Sequence, residues 1–155
     1  MAQSESAGLL LYRRRGDDLE VLLAHPGGPF WACKDAGAWT IPKGLINRGE
    51  QPLGAARREF AEETGIEPPG LLLPLGSVRQ KAGKIVHAWA AQGDADPSEL
   101  RSNLVSSADG RQPFAEIDRY GWFEIEEAKQ KLNPAQAELV DRLIAALREQ
   151  SGGRS

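Results

Sequence analysis

Short apolar runs alternate with polar breaks along the first part of the chain. The runs AGLLLYRR and LEVLLAHP are separated by RGDD, and this spacing predicts two strands joined by a tight connection. The glycine-rich segment GGPFWACKDAG follows as a loop, and AWTIP predicts a short strand. Pro42 and Gly44 break that strand, so residues 44–51 are predicted to form a loop.

A helical period begins after this loop. Pro52 suits the first helical turn, because the N–H that proline lacks has no partner within the helix at that position. Leu53, Ala56 and Phe60 recur at spacings of three and four, which predicts a narrow buried stripe. Gly65 is a typical stop signal after such a stripe. The pattern therefore predicts one helix of about three turns.

The rest of the chain predicts further strands and a helical end. The runs LLLPLGSVRQ and KIVHAWAAQ flank KAG as a second strand pair, and DRYGWFEI reads as a last strand. Residues 93–117 are polar and poorly periodic, as in long connections that are often functional. EEAKQKL predicts a short helix and PAQAELVDRLIAALREQ a long one. The apolar face of the long helix has four members: Leu139, Leu143, Ile144 and Leu147.

The order of strands, helix, strands and helices indicates a mixed α/β or α+β fold, with helices packed on the faces of a sheet. A length of 155 residues fits one domain, which we place at residues 1–150. Residues 151–155, SGGRS, are predicted to form a disordered tail.

Composition narrows the classes of function. The chain is 41% hydrophobic and 26% charged, as in soluble globular proteins, and its net charge of −3 gives no general attraction to nucleic acid or to an anionic membrane. A single cysteine, Cys33, fits a reducing compartment. MAQSESAG lacks the pattern of a signal peptide, and no apolar run approaches the length of a membrane span. We therefore expect a cytoplasmic protein without a membrane or an evident nucleic-acid partner.

Three acids crowd the predicted helix. Glu59, Glu62 and Glu63 share one face, which spans roughly 100° of arc at about 100° per residue. A solvated helix face would merely tolerate these charges. A divalent-metal site would use them, because hard cations such as Mg²⁺ prefer carboxylate and carbonyl oxygens. No lysine lies between residues 44 and 66 to balance them, and the spacing therefore favours the metal site.

The acids belong to a longer pattern. Gly44, Glu50 and REFAEETGI at residues 58–66 resemble the Nudix box, G-x5-E-x7-R-E-U-x-E-E-x-G-U, where U is an apolar residue. All seven fixed positions match, and Phe60 and Ile66 fill both apolar positions. The resemblance implies a Nudix-like α/β/α sandwich with a mixed sheet between helices. It also implies metal-dependent hydrolysis of a nucleoside diphosphate linked to another group.

The resemblance implies roles for individual residues. The implied ligands of Mg²⁺ or Mn²⁺ are the carboxylates of Glu59, Glu62 and Glu63 and the backbone carbonyl of Lys43. Arg58 would pair with Glu50 and hold the loop against the helix, although it could also be only a partner on the helix surface. Gly44 would let the loop turn sharply, and Gly65 would close the helix. The metal would neutralise pyrophosphate charge and lower the pKa of a water, whose proton a carboxylate would take.

Glu116 resembles a glutamate that serves as the base in several Nudix hydrolases, six residues before a tryptophan, here Trp122. The other reading is an ordinary loop acid. The box itself also offers glutamates as the base.

The segment WTIPKG resembles the W-x-x-P-K-G segment of dinucleoside polyphosphate hydrolases and diphosphoinositol polyphosphate phosphohydrolases. A dinucleoside polyphosphate is therefore the expected substrate. Enzymes that sanitise oxidised nucleotides more often carry a double glycine there, which leaves an 8-oxo-dGTP hydrolase as the first alternative. A Nudix-fold module that senses a nucleotide without cleaving it is the second, although such modules usually lose box acids.

Further residues are candidates for substrate contact. Lys43 could meet the phosphates. Further candidates of the same kind, each of which could also be an ordinary surface charge, are Arg48, Arg79, Lys81 and Lys84. Phe30 and Trp31 could stack on a nucleobase or pack in the core, with equal support. Three other rings are expected to be structural: Trp39, His25 and His87.

Overall fold

The computed structural model describes residues 5–68, 70–100, 104–105 and 114–152. The strands of this part are β1 (Glu5–Arg15), β2 (Asp18–Pro26), β3 (Lys43–Leu45), β4 (Leu73–Arg79), β5 (Ile85–Gln92), β6 (Leu104–Val105), β7 (Phe114–Ala115) and β8 (Ile117–Glu124). The helices are α1 (Pro52–Thr64), α2 (Ile125–Lys131) and α3 (Ala137–Gly152). Within the described ranges, no helix is both long enough and apolar enough to cross a membrane.

Six strands form one mixed sheet in the order β4-β5-β1-β2-β8, and β3 pairs with β1 outside this path. β1 runs parallel to β5 and antiparallel to β2 and β3. Both predicted strand pairs, β1–β2 and β4–β5, are present and antiparallel. The register places Lys43 of β3 opposite Gly8 of β1, so the segment WTIPKG enters the sheet beside its central strand.

Alternation along β1 divides the core into two layers, because successive side chains of a strand point to opposite faces. Leu10 and Tyr12 pack with the buried side chains of α2 and α3. Leu9 and Leu11 pack with Phe60 of α1 on the other face. The sheet therefore lies between α1 and the α2–α3 pair, which confirms the predicted α/β/α sandwich.

The helix α1 has the predicted bounds but a different buried face. Gly65 ends it with a φ of 81° and donates its N–H to Ala61 O at 2.8 Å. Leu53 is 39% exposed, so its place in the predicted stripe is wrong. Glu63 is buried with Phe60 instead, because a spacing of three residues puts the two on one side of the helix.

The strand predicted around AWTIP is wrong. Residues 38–42 contribute two isolated bridges, Ala24 with Thr40 and Trp39 with Leu132. Pro42 has no N–H to continue a ladder there, although its carbonyl accepts the N–H of Leu9 at 3.1 Å. The short strand β3 instead spans Lys43–Leu45 and takes the first two residues of the predicted 44–51 loop.

The final helix and the long connection also differ in detail from the predictions. Leu139, Leu143 and Leu147 of α3 are buried as predicted, whereas Ile144 is half-buried and Val140 is buried with the others. α3 extends through Gly152, and residues 153–155 of the predicted tail lie outside the described residues. In the 93–117 connection, a 3-10 turn forms at Pro97–Glu99, and β6 pairs with β7. Residues 101–103 and 106–113 lie outside the described residues.

Candidate active site

The candidate site begins where β3 lies against α1. A Cβ added to Gly44 would stand 2.0 Å from Cδ and Oε2 of Glu59, so this position has no room for a side chain. Gly44 is not one of the glycines with positive φ. The predicted role in a sharp turn is therefore wrong, and Gly44 instead lets the Glu59 carboxylate lie directly on the backbone of β3.

Arg58 is the hub of the hydrogen bonds around the box. Its Nε donates to Glu50 Oε2 at 2.7 Å and its Nη2 to Glu50 Oε1 at 2.9 Å. Its Nη1 donates to Glu59 Oε1 at 2.8 Å and to Glu62 Oε2 at 3.1 Å. Nη2 also donates to Leu45 O at 3.0 Å. The structure thus brings Arg58 and Glu50 together, and the same guanidinium holds two further carboxylates.

These bonds shift the ionisation of the pair. The guanidinium of Arg58 and the backbone N–H of Asn47 lower the pKa of Glu50 to about 2. Hydrogen bonds to Glu50 and Glu59 raise the pKa of Arg58 despite its partial burial. Both groups are therefore charged at neutral pH, and the link between the loop and the helix is an ion pair.

Glu63 has a different environment. Its side chain is 1% exposed, and neither carboxylate oxygen has a hydrogen-bond partner among the described residues. Burial, followed by the negative charges of Glu116 and Glu59 and by the close approach of the Glu116 carboxyl group, raises its pKa to about 8. Burial also raises the pKa of Glu59, although Arg58 opposes the shift. A buried carboxylate without partners needs a proton or a cation, because burying an unpaired polar group is costly.

Lys43 lies among these acids. Burial and the neighbouring charge of Lys84 lower the pKa of its ammonium group, while the charges of Glu63, Glu116 and Glu59 act in the opposite direction. The structure therefore brings the predicted phosphate cation, the predicted base and two predicted metal ligands into one electrostatic neighbourhood. Lys84, one of the further phosphate candidates in the sequence, belongs to the same neighbourhood.

Glu116 occupies the position just before β8. Its side chain is exposed, and its backbone carbonyl accepts the N–H of Gly27 at 2.9 Å. This bond ties the segment of Glu116 to the end of β2. The geometry leaves the carboxylate accessible while its charge still acts on Glu63.

Tyr120 is a site residue that sequence reasoning missed. Its hydroxyl donates to the backbone carbonyl of Glu63 at 2.8 Å, and the phenol ring is 9% exposed. Burial and the charges of Glu63 and Glu116 raise the pKa of Tyr120, so the hydroxyl keeps its proton. The one signal in the sequence is a tyrosine inside an apolar strand, since a buried hydroxyl usually finds a partner.

The other predicted substrate residues lie at or near the surface. Phe30 is 69% exposed and Trp31 is half-buried, with their ring centroids 4.9 Å apart and their planes at 90°. We call residues 28–34, which carry both rings, the aromatic loop. Lys34 Nζ lies 4.6 Å from the centroid of the Phe30 ring. Arg48 is exposed between β3 and α1 and forms no hydrogen bond or ion pair with the described residues.

The rings that were expected to be structural are packed or bonded within the fold. Trp39 is 4% exposed. His25 is fully buried, with Nδ1 2.9 Å from Asp118 Oδ1 and Nε2 2.6 Å from Lys34 O. His87 Nε2 lies 2.6 Å from Glu5 Oε1.

The donor chemistry of the site fits a divalent cation. The unpartnered oxygens of Glu63, next to a second carboxylate whose pKa is raised by burial, are the hard ligands that Mg²⁺ and Mn²⁺ prefer. Glu59 and Glu62 are bonded to Arg58 in this arrangement. No group of three His, Cys, Asp or Glu side chains is therefore arranged to hold an ion in the part of the chain that the structure describes.

Known proteins are similar to this chain in sequence and in fold. The NUDIX domain family matches residues 3–143. The asymmetrical bis(5'-nucleosyl)-tetraphosphatase of Rattus norvegicus is 30% identical over 137 residues, which cover 81% of this chain and 82% of that protein. The RNA pyrophosphohydrolase of Brucella anthropi is 30% identical over 125 residues, covering 71% and 70%.

Among solved structures, a binary complex of the Ap4A hydrolase of C. elegans superposes with a TM-score of 0.65 at 27% identity. The match covers 94% of this chain and 98% of that one. The family match over most of the chain agrees with the complete box, which runs from β3 to the end of α1, and with the α/β/α sandwich around it. The chain therefore belongs to the NUDIX domain family and is an enzyme of its pyrophosphohydrolase class.

Proposed function

We propose that this protein hydrolyses a pyrophosphate bond of a dinucleoside polyphosphate with the help of Mg²⁺ or Mn²⁺. The observation that carries the proposal is the buried Glu63 carboxylate, which has no hydrogen-bond partner among the described residues and lies close to Glu59, Glu116 and Lys43. A carboxylate in this state fits a cation better than a structural role.

The residues that would hold the cation are Glu59, Glu62, Glu63 and the backbone carbonyl of Lys43. When bound, the ion supplies neutralisation of the pyrophosphate charge and a lower pKa for water. Glu50 is not one of these proposed metal ligands. It accepts hydrogen bonds from Nε and Nη2 of Arg58 and so anchors the guanidinium. Arg58 therefore acts on the site by placing Glu59 and Glu62.

We assign Glu116 as the base that takes the proton of the attacking water. Its carboxylate is exposed, whereas Glu63 is buried, and the charge of Glu116 acts on both Glu63 and Lys43. A base has to lie within reach of the proton that it removes, and Glu116 combines this neighbourhood with access from solvent. The ammonium group of Lys43 lies in the same neighbourhood and would bind the phosphate chain.

The substrate class is supported by similarity and by the aromatic loop. The rat tetraphosphatase and the C. elegans Ap4A hydrolase are 30% and 27% identical to this chain, and both names specify a dinucleoside polyphosphate. WTIPKG resembles the corresponding segment of that class. The exposed ring of Phe30 offers a face for stacking on a base.

A second candidate is hydrolysis at the triphosphate end of RNA, since the Brucella relative is an RNA pyrophosphohydrolase with 30% identity. Both substrates present a polyphosphate on a 5' nucleoside, so the same site could accept either. The net charge of −3 supplies no general attraction to an RNA backbone, which makes the smaller substrate the first choice.

The test is a substrate panel incubated with Mg²⁺, with products resolved by anion-exchange chromatography. The panel contains diadenosine polyphosphates, 5'-triphosphorylated RNA, 8-oxo-dGTP, ordinary nucleoside triphosphates, ADP-ribose and diphosphoinositol phosphates. We expect asymmetrical cleavage of a diadenosine polyphosphate, with ATP as one product, and its loss when EDTA is added. Faster release of pyrophosphate from RNA or from 8-oxo-dGTP would replace the proposed substrate by that one.

A further inference from the structure

We infer that His25 is a positioning residue that connects the aromatic loop to the segment of Glu116. The inference rests on the proposed function, because it assigns substrate contact to the aromatic loop and proton transfer to Glu116. His25 itself is fully buried at the end of β2 and touches neither substrate nor metal in this assignment.

One arm of His25 reaches the aromatic loop. Its Nε2 lies 2.6 Å from the backbone carbonyl of Lys34. Two other hydrogen bonds of residues 28–34, from Trp31 N to Gly28 O and from Lys34 N to Trp31 O, stay inside the loop. Among the described residues, the bond from His25 is the one hydrogen bond that joins residues 28–34 to another part of the fold. For residues 28–34, His25 therefore supplies the hydrogen-bonded anchor to the rest of the fold, beside the bonds of the flanking residues Gly27 and Asp35.

The other arm reaches the segment of Glu116. Nδ1 lies 2.9 Å from Oδ1 of Asp118, two residues after Glu116. The backbone carbonyl of Glu116 also accepts the N–H of Gly27, two residues after His25. These bonds fix the start of β8 on the end of β2, and hence the place from which the Glu116 carboxylate extends.

The two partners determine where the ring carries its protons. A backbone carbonyl can only accept, so Nε2 must donate to Lys34 O. Nδ1 lies against the carboxylate of Asp118, whose oxygens accept from an N–H donor. The two ring nitrogens thus hold two different segments, and each contact can be removed separately.

Two substitutions separate the two arms, because the amide nitrogen of Asn is as many bonds from Cβ as Nδ1, and that of Gln as many as Nε2. His25→Asn keeps a donor for Asp118 and loses the donor for Lys34. His25→Gln does the reverse. We expect the Asn variant to raise KM about tenfold with little change in kcat, and the Gln variant to lower kcat about tenfold with little change in KM.

Hydrogen–deuterium exchange of residues 28–34 tests the bond between His25 and Lys34 without a substrate. We expect faster exchange in the Asn variant and wild-type exchange in the Gln variant. Equal exchange in both variants, or the same change in kcat and KM for both, would overturn the inference. If the wild type cleaved no substrate, the proposed function would fail while the exchange experiment still decided whether His25 anchors the loop.

A measurement on the wild type tests the inference even if the variants fail to fold. Nitrogen-15 NMR of the His25 ring should show a proton on Nε2 that exchanges slowly with water. A ring without a proton on Nε2 could not donate to Lys34 O, and that result would remove the loop anchor.

Discussion

Glu50 and Arg58 form a two-bond ion pair, with Nε 2.7 Å from Oε2 and Nη2 2.9 Å from Oε1. Glu50 comes from the loop before α1 and Arg58 from the second turn of the helix. The pair therefore fixes the loop to the helix and leaves Nη1 of Arg58 to Glu59 and Glu62. Parallel bonds of this kind add geometric specificity as well as energy.

Replacement of Glu50 by Gln should lower thermal stability in a pH-dependent way. The pKa of Glu50 falls from 4.5 to about 2 on folding, so the unfolded chain takes up this proton first as the solution is acidified. The stabilisation is complete above about pH 4.5 and is lost as the pH falls towards 2. Melting temperatures of the wild type and of Glu50→Gln should therefore differ most at neutral pH, and the difference should shrink as the pH falls from about 4.5 towards 2.

Glu67→Gln is the matched control for this experiment, because Glu67 is exposed and forms no ion pair with the described residues. Its melting temperature should follow that of the wild type across the same pH range. A constant offset between Glu50→Gln and the wild type down to pH 3 would contradict the shifted ionisation of Glu50.

Replacement of Glu63 by Gln should reduce turnover. It should also stabilise the metal-free fold near neutral pH, because it removes a buried carboxylate whose ionisation is unfavourable. The pKa of Glu63 rises from 4.5 to about 8 on folding, so the folded chain retains a proton that the unfolded chain releases. Stability without metal is thus highest below about pH 4.5 and decreases as the pH rises towards 8. In EDTA, the melting temperature of the wild type should fall across this range relative to that of Glu63→Gln.

Addition of Mg²⁺ should reverse the order of the two proteins. A cation that binds only the folded state stabilises it, so the wild type should gain melting temperature and the Gln variant should gain less. Turnover of the variant should fall roughly 100-fold or more, as for groups that act in the transition state. Wild-type turnover in Glu63→Gln would exclude this carboxylate from the mechanism.

The resemblance to the Nudix box predicted that Arg58 meets Glu50, and local spacing predicted the helix. It did not predict which side of α1 the sheet covers. The helical period places Glu63 with Phe60 as well as with the other acids, and only the packed sheet decides that Glu63 is buried while Leu53 is exposed. Burial of an acid was therefore invisible in the pattern, although it determines the chemistry of the site.

Contacts between distant residues account for the other omissions. Tyr120 is 57 residues from Glu63 in the chain, and Asp118 is 93 residues from His25. Neither contact can be predicted from the hydrophobic periodicity of a single helix or strand. β3 was missed because Pro42 precedes it and Gly44 lies within it, and its pairing with β1 comes from tertiary structure that overrides the weak local preference.

Removal of the Tyr120 hydroxyl should loosen the end of α1. Tyr120→Phe loses the 2.8 Å bond to Glu63 O, and we expect the free energy of unfolding to fall by about 1–1.5 kcal/mol. Urea denaturation would measure this change. Tyr12→Phe is the matched control, since Tyr12 is equally buried in the opposite layer and its hydroxyl has no hydrogen-bond partner among the described residues. Equal losses in both variants would show that the bond to Glu63 contributes nothing specific.

Truncation of Phe30 should weaken substrate binding without affecting the fold. Because the ring is 69% exposed, Phe30→Ala should leave the melting temperature unchanged. Loss of a stacked base costs roughly 1–3 kcal/mol, so KM for a diadenosine polyphosphate should rise about tenfold while kcat changes little. Leu71→Ala, at a position 75% exposed, controls for the removal of surface apolar area and should leave both parameters unchanged. Steady-state kinetics of the two variants would decide, and an unchanged KM in Phe30→Ala would place the base elsewhere on the protein.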